Sequence, residues 1–286
     1  MTPEIIMLVL ISATMHPVWN LMIKKNPDPQ LGFLFLTIIM SICALVHGLI
    51  SGVDFAAILT VLPLVAVSVC GQFLYGTCLT TTLKRGDLST YYPIIRASPV
   101  FVVIASVVVF GKTYPFMVLL GMAMAVSGGF MLLYRRGTSM FDDHKALCLA
   151  LVALSGTGIY SMADASMMST IDPSALLFAV ESTMALIYGS IWFRQRLKLP
   201  AIPKPAAGKL ISYLLVPGAL AYTSYYLILL AYQLGGDVAL VTSVRQASIP
   251  ISVVLGGLFL REGAIARRFF ASGFLALGIA VIAIGG

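Results

Sequence analysis

YYPIIRASPVFVVIASVVVF (91–110) and VTSVRQASIPISVVLGGLFL (241–260) are two apolar runs that each carry one arginine, Arg96 and Arg245, in the same place in one half of a duplicated chain. Arginine keeps its charge at every physiological pH. Setting it near a bilayer centre costs at least ~2.5–3.5 kcal/mol on insertion scales. A cost of that size is tolerated where the guanidinium faces a polar interior and meets an anion. The pair therefore points to a membrane protein that handles small, anionic solutes.

Composition agrees. Of 286 residues, 59% are hydrophobic and only 10% charged, with a mean hydropathy of +0.99. A soluble domain carries roughly a quarter charged residues, so this chain is expected to bury its surface in lipid. A net charge of +7 would suggest nucleic acid in a soluble protein. Here the basic residues lie between apolar runs, so topology accounts for them and no nucleic-acid partner is expected. Cys43, Cys70, Cys78 and Cys148 fall inside apolar segments without CxxC spacing and read as buried free thiols. The first run starts at Ile5 with no basic region before it and no small-residue cleavage site after it, which reads as a retained span.

A bilayer core needs about 20 apolar residues per helix. The candidate spans are 4–23, 31–51, 57–80, 88–110, 115–134, 146–168, 174–193, 210–233, 238–259 and 265–285. Turn signals such as Asn26-Pro27-Asp28-Pro29, Gly111-Lys112, Asp172-Pro173 and Gly235-Gly236-Asp237 separate them. Fifteen of the 18 Lys and Arg fall in the odd-numbered loops, and Lys112 alone in the even loops and termini; the two intramembrane arginines are the rest. The positive-inside rule then puts the odd loops in the cytoplasm and both termini outside it.

Sliding residues 62–136 by 150 positions, without a gap, pairs Tyr75 with Tyr225, Leu79 with Leu229 and Gly86-Asp87 with Gly236-Asp237. It also pairs Ala97-Ser98 with Ala247-Ser248, Val103 with Val253 and Gly128 with Gly278. The fold class expected is an all-α integral membrane protein of ten transmembrane helices, in two inverted five-helix repeats, 1–140 and 141–286. An odd number of spans per repeat reverses the polarity of the second. Inverted repeats are a mark of secondary transporters, with the solute site at mid-membrane. Arg96 lies roughly 12 Å into its span and Arg245 roughly 11 Å into its own, from opposite faces, at 1.5 Å per residue. Both approach the centre of a core about 30 Å thick.

Particular residues also resemble the EamA branch of the drug/metabolite transporter superfamily. They are His16, Trp19-Asn20 and Lys24 in MHPVWNLMIK, the RASP of Arg96–Pro99, the QASIP of Gln246–Pro250 and the LREG at 260–263. The glycine-rich closing helices GMAMAVSGGFML (121–132) and SGFLALGIAVI (272–282) complete the likeness, which covers essentially the whole chain. It implies a secondary transporter of amino acids, metabolites, nucleotide sugars or phosphorylated compounds. One departure stands out. The family often has a glutamate after span 4 and after span 9; Glu262 fits the second, whereas Lys112 occupies the first.

Two readings of Arg96 and Arg245 stand: a bidentate grip on a solute carboxylate or phosphate, or ion pairs with Asp164 and Glu181, the only acids well inside the spans. Those acids are correspondingly counter-ions or proton carriers. Ser248, about 300° round its helix from Arg245, falls near the cavity edge, and Ser98, about 200° from Arg96, between helices. Gln246 joins the candidate binding set, as do His16, Trp19, Asn20, Tyr75 and Tyr225. Each has a plain alternative as a packing or helix-bonding residue. Tyr91, Tyr92 and Tyr114 read as interfacial belt residues. Pro93, Pro99 and Pro250 interrupt the arginine-bearing helices, as hinges for alternating access or as static bends.

The function expected is secondary active transport of a small organic anion or zwitterion by alternating access, proton-coupled or by exchange, in a cell membrane such as a bacterial inner membrane. The expected partners are a small-molecule substrate and lipid, with the chain a monomer or homodimer. No GxxxxGK[ST] loop is present, and neither cofactor nor metal nor enzymatic activity is expected. The rivals are a lipid flippase or cation exporter of the same fold, and a membrane-embedded enzyme. A cation exporter wants an exposed acid in span 1, where only Glu4 stands. An enzyme of that kind commonly needs clustered Asp or His, and the three histidines are scattered at 16, 47 and 144.

Overall fold

The computed structural model describes residues 1–24, 29–85, 91, 94–133, 143–196, 215–251 and 265–285. Every regular element among them is helical. In chain order they are α1 (Pro3–Lys24), α2 (Pro29–Ile50), a 3-10 segment (Phe55–Val61), α3 (Leu62–Arg85), α4 (Ser98–Phe110), α5 (Phe116–Leu133), α6 (His144–Met167), α7 (Pro173–Arg196), α8 (Val216–Gln233), α9 (Val238–Val244) with a 3-10 turn (Arg245–Ala247), and α10 (Ile265–Gly285). Pro93 and Glu262 lie outside the described residues, as do Tyr92 and the 86–90 and 197–214 connections.

Four helical stretches are long and apolar enough to cross a membrane: Leu31–Ile50, Phe55–Leu79, His144–Met167 and Pro173–Arg194. Shorter apolar helices are Ser98–Phe110, Phe116–Met131, Val238–Ile251 and Phe270–Gly285. The apolar residues wrap these helices instead of forming one stripe, the pattern of helices in an apolar medium. Val102 of α4 is fully buried while Val108 of the same helix is 77% exposed. Such outward valines and leucines are what a hydrocarbon surround accepts and water does not.

Acids start several helices from outside the apolar runs. Asp143 accepts backbone N–H bonds from Lys145 and Ala146, and Asp237 from Ala239 and Leu240. Each satisfies donors that the first helical turn leaves without partners. At the other end of α4, Gly111 adopts φ +62° and the Lys112 N–H returns to the Ser106 carbonyl, a left-handed stop that favours glycine.

Helices α3 and α6, α5 and α10, α1 and α8, and α2 and α7 run against one another. Small residues bring them close. A Cβ on Gly71 would sit 2.8 Å from the Tyr160 nitrogen and 2.9 Å from the Gly156 carbonyl. On Gly278 it would stand 2.6 Å from the Ala125 nitrogen. Ser12 of α1 and Ser224 of α8 are buried and hydrogen-bonded at 3.0 Å.

Three expectations are corrected. Cys70 and Cys148 are exposed and Cys43 is half-buried; only Cys78 is a buried thiol. Small thiols are as compatible with a lipid-facing surface as with a core. Tyr91 is buried, not interfacial, and its hydroxyl donates to the Asp143 carbonyl at 3.3 Å. Pro99 does not kink a helix interior: it stands in the first turn of α4, where the missing N–H costs nothing. The break precedes it, at Ala97. Pro250 similarly follows the 3-10 turn at Arg245–Ala247.

Candidate functional site

Both arginines stand where a helix is interrupted. Arg96 precedes the turn at Ala97, whose N–H bonds the Ile94 carbonyl at 3.0 Å. Arg245 opens the 3-10 turn that follows α9. Such interruptions free backbone carbonyls from the helical ladder, and side chains then reach them. The Gln246 side-chain amide donates to the Arg96 carbonyl at 2.5 Å. The Arg96 guanidinium donates through Nη2 to the Ser248 hydroxyl, which is fully buried. The register that superimposes Ala97-Ser98 on Ala247-Ser248 therefore sets Arg96 opposite Gln246, with Arg245 one position earlier than strict duplication requires.

Arg245 has different company. Its guanidinium carbon lies 5.5 Å from the centre of the Tyr225 ring, within the range of cation–π attraction. Tyr160, Tyr232 and Tyr75 are also within electrostatic reach of it. The Tyr225 hydroxyl donates to Oδ2 of Asp164, whose Oδ1 is buried without a hydrogen-bond partner. Ser68, fully buried on α3, also lies beside that carboxylate, but its Oγ does not reach bonding geometry. Glu181 is 5% exposed and within electrostatic reach of Asp164.

Neither arginine forms an ion pair with Asp164 or Glu181; the charge pair seen among the described residues is Lys112 with Asp237. Arg245 is within electrostatic reach of Asp164, and Tyr225 contacts both, its ring facing the guanidinium and its hydroxyl bonding the carboxylate. The Nε groups of Arg96 and Arg245 and Oε1 of Gln246 are buried without partners. Arg96 and Gln246 border a narrow cleft with Val126, Gly129, Phe130 and Ile249, too tight in this state to admit a water. Buried donors and acceptors left without partners cost free energy, and of these three groups those of Arg96 and Gln246 border the cleft while Arg245 does not.

The other expected residues gather around this core. The His16 and Trp19 rings meet edge-on at 4.9 Å, and His16 is within electrostatic reach of both arginines. Trp19 Nε1 is buried without a partner, and Asn20, the next residue, is half-buried. Tyr75 and Tyr225 both meet Tyr160, its ring 6.3 Å from the one and 6.2 Å from the other. Ser98 is buried and makes none of the bonds of Ser248.

Tyr160, Tyr232 and Ser68 escaped the sequence reading. Tyr160 had one signal, its depth in α6 equivalent to Trp19 in α1. His47 proves to be bonded, its Nδ1 2.6 Å from the Tyr222 hydroxyl and its ring 4.9 Å from that of Tyr226. No cluster of three or more His, Cys, Asp or Glu occurs among the described residues.

No protein-family model and no curated protein matches the chain. Among solved structures 28 chains match. One, described only as "Crystal structure of protein", superposes with a TM-score of 0.76 over 98% of this chain and 96% of that one, at 17% identity. At that identity the likeness is one of fold, and it runs through both chains almost end to end.

Proposed function

We propose that this protein is a secondary transporter of the EamA kind, moving a small organic anion or zwitterion through the space around Arg96 and Arg245 by alternating access. Its ten helices form two five-helix repeats of opposite polarity, 1–140 and 141–286, with both termini on the non-cytoplasmic side of a bacterial inner membrane. Packing supports the repeats: advancing each helix by five turns the α3–α6 pair into α8–α1, and α2–α7, α4–α9 and α5–α10 into themselves. A two-fold exchange of halves requires that relation.

The observation that carries the proposal is a pair of guanidinium groups, each with a buried Nε, that no carboxylate among the described residues meets at ion-pair distance. A permanent cation in an apolar core is otherwise paired. The solute anion is the missing partner, and the Tyr225–Asp164 bond supplies a carboxylate that binding at Arg245 would disturb. Proton coupling or exchange through Asp164 and Glu181 then drives the cycle.

The test is a thermal-shift screen of purified protein against amino acids, carboxylates, phosphonates and sugar phosphates, followed by uptake into proteoliposomes. Stabilisation grows with ligand concentration over Kd. Removing one charge-assisted contact of ~1.5–3 kcal/mol weakens binding by roughly 10- to 150-fold, so Arg96→Ala and Arg245→Ala lose the shift. Anionic ligands that stabilise both variants as well as the parent would overturn the proposal.

A further inference from the structure

The loop after α4 is tied to the start of α9. Lys112 Nζ is 2.5 Å from Asp237 Oδ2, and the Tyr114 hydroxyl donates to the same carboxylate at 3.1 Å and 3.3 Å. Asp237 is held rigid because its Oδ1 also accepts the Ala239 and Leu240 backbone N–H groups. Backbone turns with φ +62° at Gly111 and +89° at Gly235 bring the two loops together. Beneath them Ser106 of α4, 2% exposed, is within reach of the Tyr114 hydroxyl.

These contacts join the ends of the two helices that lead to Arg96 and Arg245. By the Lys and Arg distribution, that end is the non-cytoplasmic one. We infer that Lys112, Tyr114 and Asp237 form a latch that closes the non-cytoplasmic entrance, released each time the α8–α9 hairpin swings away from the α4–α5 loop. The inference rests on the transport reading for its purpose and on the contacts themselves for its geometry.

The latch is not a pH sensor in the physiological range. Burial pulls the Lys112 ammonium down, but its hydrogen bond and charge contact with Asp237 outweigh this and hold it above the ordinary lysine value. A raised value keeps the Lys112 ammonium charged at neutral pH, and its contribution is lost only as pH climbs through that value. Salt acts instead: the pair is partly exposed, and the screening length falls from about 10 Å at 0.1 M to about 3 Å at 1 M.

The experiment uses Ser106→Cys as a reporter in the full chain in proteoliposomes, labelled by a membrane-impermeant maleimide and read peptide by peptide. Lys112→Gln and Asp237→Asn each remove the pair, and asparagine keeps the helix cap. Labelling of the reporter is expected to quicken about tenfold in either variant and no further in the double variant, while native Cys78, buried elsewhere, stays slow. High salt should move the parent part of the way. Unchanged labelling in both variants, or a Cys78 rate that rises in step, overturns the latch. Uptake is measured separately. Faster labelling in the variants, together with no transport by the parent, would leave the latch standing and sink the transport reading.

Discussion

Gln246 and Arg96, 150 residues apart, join the halves of this chain directly: the glutamine amide bonds the arginine's backbone carbonyl at 2.5 Å. That carbonyl is free because the helix breaks at Ala97. In the 150-residue sequence register the two positions are equivalents, so in the proposed two-repeat arrangement the bond lies where the halves face each other. Gln246→Ala strands a buried acceptor and is expected to cost ~1–3 kcal/mol, seen as a lower unfolding midpoint in detergent. A midpoint within error of the parent would mean that water replaces the amide at no cost.

The two serines of the repeated Ala-Ser dipeptide have diverged. Ser248 accepts from the Arg96 guanidinium, whereas Ser98 is simply buried. Losing a bond to a charged group costs ~1.5–3 kcal/mol, so Ser248→Ala is expected to lower both stability and anion affinity. Ser98→Ala should change either by less than ~0.5 kcal/mol. Equal effects in the two variants would refute the asymmetry.

Tyr225 stands between Arg245 and Asp164. If the three act as a unit, Tyr225→Phe and Asp164→Asn should be non-additive, with a coupling of ~0.5–3 kcal/mol in substrate affinity from a double-mutant cycle. Uptake by Asp164→Asn and Glu181→Gln, recorded at several pH values, tests the coupling role. Loss of the pH dependence in one of them is expected, and a parental profile in both would remove these acids from it.

Glycines set the distance between α5 and α10. A methyl on Gly278 would press on the Ala125 backbone at 2.6 Å and on the Gly121 carbonyl at 2.7 Å. Backbone does not yield as a side chain does, so Gly278→Ala is expected to destabilise by ~1–3 kcal/mol. Gly273→Ala, in open space on the same helix, should be neutral or slightly stabilising through helix propensity. Chemical unfolding of the two variants side by side makes the comparison.

The helical class, four apolar runs long enough to cross a membrane, the turn signals and the two arginines were legible in the amino-acid order; the breaks at Ala97 and Arg245–Ala247 inside two further runs were not. Each legible feature is a local property: a helix in lipid must satisfy its own backbone, so a run's length and composition suffice to mark it. The candidate positions His16, Trp19, Tyr75, Tyr225, Gln246 and Ser248 were legible for the same reason, as polar groups where polarity is costly.

Their partners were not. Whether Arg245 meets a carboxylate or a tyrosine ring depends on how α8 and α9 pack. That Tyr160 meets both Tyr75 and Tyr225 depends on the close approach of α3 and α6 through Gly71 and Gly156. The tie between Lys112 and Asp237 spans 125 residues, and nothing in either flanking stretch names the other. Periodicity places a side chain on a face of its own helix; only the assembled bundle decides which face of which neighbour lies opposite, because close packing among many helices is a property of all of them at once.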